Sequence, residues 1–241
     1  MRHDIREIRR EFEEIREILR PTDFDGFLRN ACHISYENFR EWRERYWDCV
    51  NGERCEANER IASLDCNSGC TRMVLSLPNS NYVFKIQYDT SDEVDYCRNE
   101  CFVYHRAVER GCEEYFAWID CLGEYGSALV YVMEKVEVNE DRNSEDSYTY
   151  HARKWEEGRE DREDDEDDEF DGEYDDHEGM IEFAIAHNGG NMEEAAVLIW
   201  DLGVNDLHSA NWGYRGDVLV AVDYGGYGED AYAIARLANE E

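Results

Sequence analysis

Asn205-Asp206-Leu207-His208-Ser209-Ala210-Asn211, followed by Asp223-Tyr224-Gly225, is the stretch on which the fold of this chain turns. An Asp, an Asn five residues on, and a second Asp before a Gly are spread over a loop, a hairpin and a strand end. The hairpin turns at Arg215-Gly216-Asp217, and its second strand covers 218–222. Hard oxygen donors in this order form a frame for magnesium and a polyphosphate, with one carboxylate to spare for a hydroxyl proton. Taken singly, each residue fits an ordinary turn, since Asp and Asn both favour them.

Upstream of the loop, the spacing predicts a helix over 192–202, capped by Asn191 with Glu194 and closed by Gly203. A shorter helix over 180–187 precedes it, ending at Asn188-Gly189-Gly190. Downstream, 231–238 reads as a final short helix. Before these, 139–178 is a break in composition: from Glu160 to Glu169 every residue except Arg162 is acidic. Such a run repels itself and has nothing to bury, so it reads as a disordered insertion, or as a charged lure for a basic partner.

Further back, two β-prone runs, 72–77 and 82–87, flank the turn Pro78-Asn79-Ser80-Asn81. Thr90 with Glu93 fits a capping box opening a helix that runs to Gly111. Two more strands, 115–121 and 128–136, are joined at Gly123-Glu124-Tyr125-Gly126. At the N-terminus Ile5, Ile8, Phe12, Ile15 and Leu19 form one apolar seam, stopped by Pro21. That seam would pack on its own domain or serve a short coiled-coil contact. Phe39, Trp42 and Tyr46 mark a second amphipathic helix ending near Gly52. The domains expected are a helical segment 1–58, a sheet-bearing lobe 59–138, the insertion 139–178 and a reduced lobe 179–241.

Composition limits the function classes. The formal charge is −34, from 59 Asp and Glu against 25 Lys and Arg. Phosphate backbones repel such a chain, which argues against direct nucleic-acid binding. It would suit a basic protein partner, mimicry of nucleic acid, or a salt-rich cytoplasm, and a halophilic or viral source is expected. No apolar run is long enough to cross a bilayer, and the charged start is unlike a signal segment. The expected location is therefore cytoplasmic, in the host cytoplasm for a viral protein, with no membrane partner. All nine cysteines precede Leu122. Cys66-x3-Cys70 and Cys97-x3-Cys101 could offer thiolates to zinc, but neither has knuckle spacing, and buried free thiols are expected.

Lysine is scarce: Lys85, Lys135 and Lys154 are the only three. Lys85 sits inside the apolar run Tyr82-Val83-Phe84-Lys85-Ile86, where a long cation needs a partner. Glu100, on the helix that follows, is the candidate. A chain that uses Arg wherever any cation will serve keeps Lys where a compact charge is wanted.

These residues together resemble the protein-kinase-like superfamily. Val83-Phe84-Lys85-Ile86 looks like the Val-Ala-Ile-Lys strand with the lysine one place earlier. Glu100 matches the glutamate of the third helix, and Val132-Met133-Glu134-Lys135-Val136 looks like the adenine hinge. Asp206-Leu207-His208 with Asn211 is similar to the catalytic loop of aminoglycoside phosphotransferase-type kinases and of small protein kinases of tailed phages. Asp223-Tyr224-Gly225 looks like Asp-Phe-Gly. The pattern departs in three places. There is no Gly-x-Gly-x-x-Gly, so only Gly69 could bring backbone amides to phosphate, and Asn205 stands where His-Arg usually precedes the Asp. Only sixteen residues follow Gly225, too few for a long activation segment or a large helical C-lobe.

The resemblance implies an α+β, two-lobed kinase-like fold. It would have an antiparallel N-lobe sheet, a reduced helical C-lobe and extra N-terminal helices that take the place of missing lobe. It implies ATP and Mg2+ as cofactors and a protein Ser or Thr hydroxyl as substrate. Asp206, Lys85 and Glu100 would be catalytic; Gly69, Lys85, Glu134 and Val136 would bind nucleotide; Asn211 and Asp223 would hold metal. Two alternatives stand beside it: a catalytically weak pseudokinase that binds partners through its acidic surface, and a small-molecule kinase.

Overall fold

The computed structural model describes residues 3–31, 36–51, 56–68, 72–87, 94–137, 176–208 and 211–240. It is an α+β protein that divides into two compact units, residues 1–101 with 118–135, and residues 102–117 with 136–241. Among the described residues no helix is long and apolar enough to cross a membrane.

The first unit is built on a five-stranded, wholly antiparallel sheet. Its strands are β1 (Asp65–Ser68), β2 (Arg72–Ser76), β3 (Tyr82–Gln87), β4 (Ile119–Tyr125) and β5 (Ala128–Glu134), in the order β1-β2-β3-β5-β4. Four helices, α1 (Ile5–Leu19), α2 (Phe24–Asn30), α3 (Tyr36–Asn51) and α4 (Glu56–Ala62), share a hydrophobic core with this sheet. The α1 seam is buried at Ile8, Phe12, Ile15 and Leu19, and Phe12 packs on Phe84 with ring centroids 5.2 Å apart. Each such side chain contributes about 1.5–3 kcal/mol of burial. The seam thus serves its own unit, and the N-terminal helices share one core with the sheet. Phe84 and Ile86 of β3 join this core. The period of two along a strand turns Lys85 to the opposite face, where α5 (Tyr96–Arg110) supplies Cys97 and Glu100.

Several elements differ from expectation. Helices α2 and α4 and strand β1 carry weak patterns; β1 reads Asp-Cys-Asn-Ser and exists by pairing with β2. Thr90 and Glu93 lie outside the described residues. The strand expected over 115–121 is divided: residues 113–115 form a 3-10 turn, Phe116 bridges to Ala221, and β4 starts at Ile119. Gly123 does not turn the chain but sits at a register shift within β4, at φ 130°. The turn falls at Gly126-Ser127, where Gly126 has φ 70° and a Cβ would lie 2.8 Å from the Leu28 carbonyl oxygen.

The second unit holds residues 102–110 of α5, α6 (Asp176–Asn188), α7 (Met192–Leu202), the hairpin β6 (Trp212–Arg215) and β7 (Val218–Ala221), and α8 (Gly228–Glu240). The hairpin turns at Gly216-Asp217 as expected, with Gly216 at φ 61°. Gly203, at φ 68°, closes α7 by donating its N–H to the Trp200 carbonyl. Asn191 makes no side-chain cap; its Nδ2 donates to the Gly111 carbonyl at 3.2 Å, and its N–H to the Tyr115 hydroxyl at 3.1 Å. Helix α6 starts before the expected boundary and takes in His177, which is buried. Helix α8 is longer at both ends than the pattern over 231–238.

Candidate functional site

In the first unit the Lys85 ammonium donates to both oxygens of Glu100, at 2.8 and 3.0 Å. The sheet register sets Lys85 opposite Val74 on one side and Tyr131 on the other. Lys85 is 5% exposed and Glu100 is fully buried, so the pair is an interior one rather than an edge-strand lysine facing water. A second cation shares the carboxylate: Arg72 Nη1 donates to Glu100 Oε1 at 2.8 Å, and its guanidinium lies 5.5 Å from the Tyr96 ring centroid. Sequence reasoning missed Arg72; the signal available was its place at the start of β2, beside the strand that carries Lys85. Interior charges persist where they are paired and hydrogen-bonded, and removing one partner is costly. Nearby, the Tyr131 hydroxyl donates to Asp95 at 2.6 Å, and burial followed by that carboxylate pushes the phenol far above its usual range.

Of the expected nucleotide-binding residues, Gly69 lies outside the described residues. Glu134 ends β5 and is tied twice to Trp118: its N–H donates to the Trp118 carbonyl at 2.9 Å, and its Oε1 accepts from the Trp118 N–H at 2.9 Å. Lys135 N–H donates to the Asn81 carbonyl at 2.7 Å. The Val136 N–H donates to no backbone carbonyl among the described residues.

In the second unit the loop after α7 is held by side chains acting on its backbone. Leu207 N–H donates to His177 Nδ1 at 3.0 Å, and Leu207 C=O accepts from the Trp212 indole N–H at 2.9 Å. The Asp206 carbonyl accepts from Asn211 Nδ2. One residue earlier, Asn205 Oδ1 accepts from Tyr227 N–H at 2.9 Å and its Nδ2 donates to Asp230 at 2.7 Å, which fastens the loop to the start of α8. Asn205 therefore has a structural task, tying the loop to the segment before α8. The Asp206 side chain is 40% exposed, with Oδ1 3.8 Å from His208 Nε2. His208 Nε2 also lies 3.3 Å from Asn211 Nδ2, which can donate to it when the imidazole is neutral.

Asn211 and Asp223 come to the same end of one hairpin. Trp212 pairs with Ala221, and just beyond that rung the Val222 N–H donates to the Asn211 carbonyl at 2.9 Å. Tyr224 anchors the segment that follows: it is fully buried, its hydroxyl donates to the Ala117 carbonyl, and its ring meets Phe116 edge-on at 5.2 Å. Ala117 N–H donates to the Ala221 carbonyl at 2.8 Å, so the apolar run 115–117 braces the hairpin. Gly226, at φ 77°, brings the chain against α8, where a Cβ would lie 2.9 Å from Ile234 Cδ1.

Asn211 and Asp223 are the residues that could hold magnesium: Asn211 directs Nδ2 to Asp206 and His208, which leaves its amide Oδ1 as a hard donor, and Asp223 follows Val222 at the same end of the hairpin. Magnesium characteristically takes one or two protein ligands and completes its shell with phosphate and water. No three His, Cys, Asp or Glu side chains gather as a metal cage among the described residues. Cys70 lies outside them, while Cys97 and Cys101 are free thiols that burial pushes well up. Burial likewise takes Cys66 to about 11, against an opposing hydrogen bond with Tyr46.

No family model, curated protein or solved structure matches the chain.

Proposed function

We propose that this chain is an ATP-dependent phosphotransferase of the protein-kinase-like type, acting on a protein Ser or Thr hydroxyl. The observation that supports it most is the interior Lys85–Glu100 pair: a chain with three lysines places one of them in a buried strand against a glutamate held by both oxygens. Ordinary surface charge does not call for that arrangement. In this reading Lys85, oriented by Glu100, neutralises the α- and β-phosphates. Asn211 and Asp223 hold magnesium, which supplies charge neutralisation on the phosphates. Asp206 accepts the proton of the substrate hydroxyl. The hydroxyl oxygen bonds to the γ-phosphorus, the bond from that phosphorus to the β–γ bridging oxygen breaks, and ADP leaves with the electron pair. Val136 N–H offers a donor to adenine.

The test is transfer of label from γ-labelled ATP with magnesium, with the chain itself and a mixed protein lysate as acceptors. Wild type should transfer label, and Asp206→Asn and Asp223→Asn should each fall by about 100-fold or more. Equal label from wild type and Asp223→Asn would end the kinase reading. The charge of −34 favours a basic protein among its partners. Deleting 139–175, which stops short of α6 and His177, should then weaken capture of that partner and leave ATP binding intact.

A further inference from the structure

We infer that His177 is a positioning residue for the phosphotransfer chemistry, holding the backbone of the Asp206 loop from a helix distant in sequence. The inference rests on the proposed function and adds a residue that neither the loop motif nor its spacing contains.

Three observations carry it. His177 lies in the first turn of α6, thirty residues before Leu207, yet is only 5% exposed. Its Nδ1 accepts the Leu207 N–H at 3.0 Å in a buried bond. An N–H pointing at Nδ1 needs the lone pair there, so the ring is neutral and carries its proton on Nε2. Trp200 of α7 meets the imidazole edge-on at 5.5 Å and 84°, which limits rotation of the ring.

The consequence for Asp206 is geometric. Its carboxylate hangs on a peptide whose carbonyl is held by Asn211, and the next residue has its N–H held by His177 and its C=O by Trp212. Loops owe their freedom to backbone groups that can exchange partners with water. Here consecutive backbone groups are claimed by side chains from α6 and from β6 or its edge. Removing the His177 acceptor frees the peptide between Asp206 and Leu207 to rotate, and that rotation swings the carboxylate off the hydroxyl it must deprotonate. Misplacement of a reacting group by about 1 Å costs on the order of 100-fold in rate. The acidic run before His177 conceals it, because a histidine beside Asp175, Asp176 and Glu178 reads as part of the same solvated stretch.

The experiment compares wild type, His177→Ala and His177→Asn in steady-state transfer from ATP, with the exchange rate of the Leu207 amide proton measured on the same samples. Asn places an amide oxygen where Nδ1 stood, so it keeps the acceptor and loses the ring. His177→Ala should lower kcat about 100-fold with KM for ATP unchanged, and should speed exchange at Leu207. His177→Asn should recover most of kcat and the slow exchange. If the Ala variant does not fold, His177→Gln replaces it, since its amide oxygen reaches past the Leu207 N–H. Turnover in His177→Ala equal to wild type, a change confined to KM, or an Asn variant no better than Ala would each overturn the inference while the kinase reading stands. A wild-type protein that transfers no phosphate overturns both.

Discussion

Around Lys85, a charge is held by other charges; around Asp206, a loop is held by neutral groups. The first cluster joins Lys85, Arg72 and Glu100 inside a sheet and against a helix, with the carboxylate fully buried. The second leaves the Asp206 carboxylate 40% exposed and spends its hydrogen bonds on the backbone beneath it, through His177, Trp212, Asn211 and Asn205. The proposed function would account for the difference. A cation that neutralises phosphate has to stay charged in a dry place, and only a counter-ion allows that. A base that takes a proton from an incoming hydroxyl has to remain reachable, so its rigidity has to come from the chain that carries it.

If that contrast is right, the two clusters break differently. Glu100→Ala leaves two cations without their carboxylate and should be the most damaging change, lowering stability by about 3–5 kcal/mol in urea unfolding. Trp212→Phe removes the donor to Leu207 C=O and a little volume; it should cost about 1–3 kcal/mol by the same measurement. Lys85→Met should cost less than Glu100→Ala, because Arg72 still meets the carboxylate, yet it should abolish label transfer. A larger unfolding effect for Lys85→Met than for Glu100→Ala would mean that the lysine, not the glutamate, centres the cluster. Asn205→Ala should cost about 1 kcal/mol and speed amide exchange at Tyr227, whose N–H it binds. The smallest expected effect is chemical rather than energetic. With burial raising every described thiol that carries a shift, alkylation at neutral pH should, among the described cysteines, begin at exposed Cys121 and reach Cys97 and Cys112 last.

Much of the molecule is legible from local chemistry along the chain. The α1 seam, the turn at 78–81, the stop at Gly203 and the hairpin at Gly216 all depend on residues within a few positions of one another. Lys85 and Glu100 are also legible as a pair, since a lone cation in an apolar strand demands an acid and the next helix offers one. What escapes are residues whose meaning is set by distant partners. Phe116 and Ala117 read as the start of a strand, and they do make strand-like contacts, but with Ala221. Gly123 reads as a turn and is a bulge, because the real turn sits where Gly126 meets the backbone at Leu28. β1 has no pattern of its own and is a strand only because β2 lies beside it.

The amino-acid order alone therefore established the periodic helices, the strands around Lys85 and the ordered set Asp206, Asn211 and Asp223, because these rest on spacing and on the preferences of single residues. Folding decided that Arg72 joins Glu100, that His177 leaves the acidic stretch to grip Leu207, and that Tyr224 closes on Ala117. Buried polar groups must find partners wherever the chain brings them, and no local rule says which remote residue arrives.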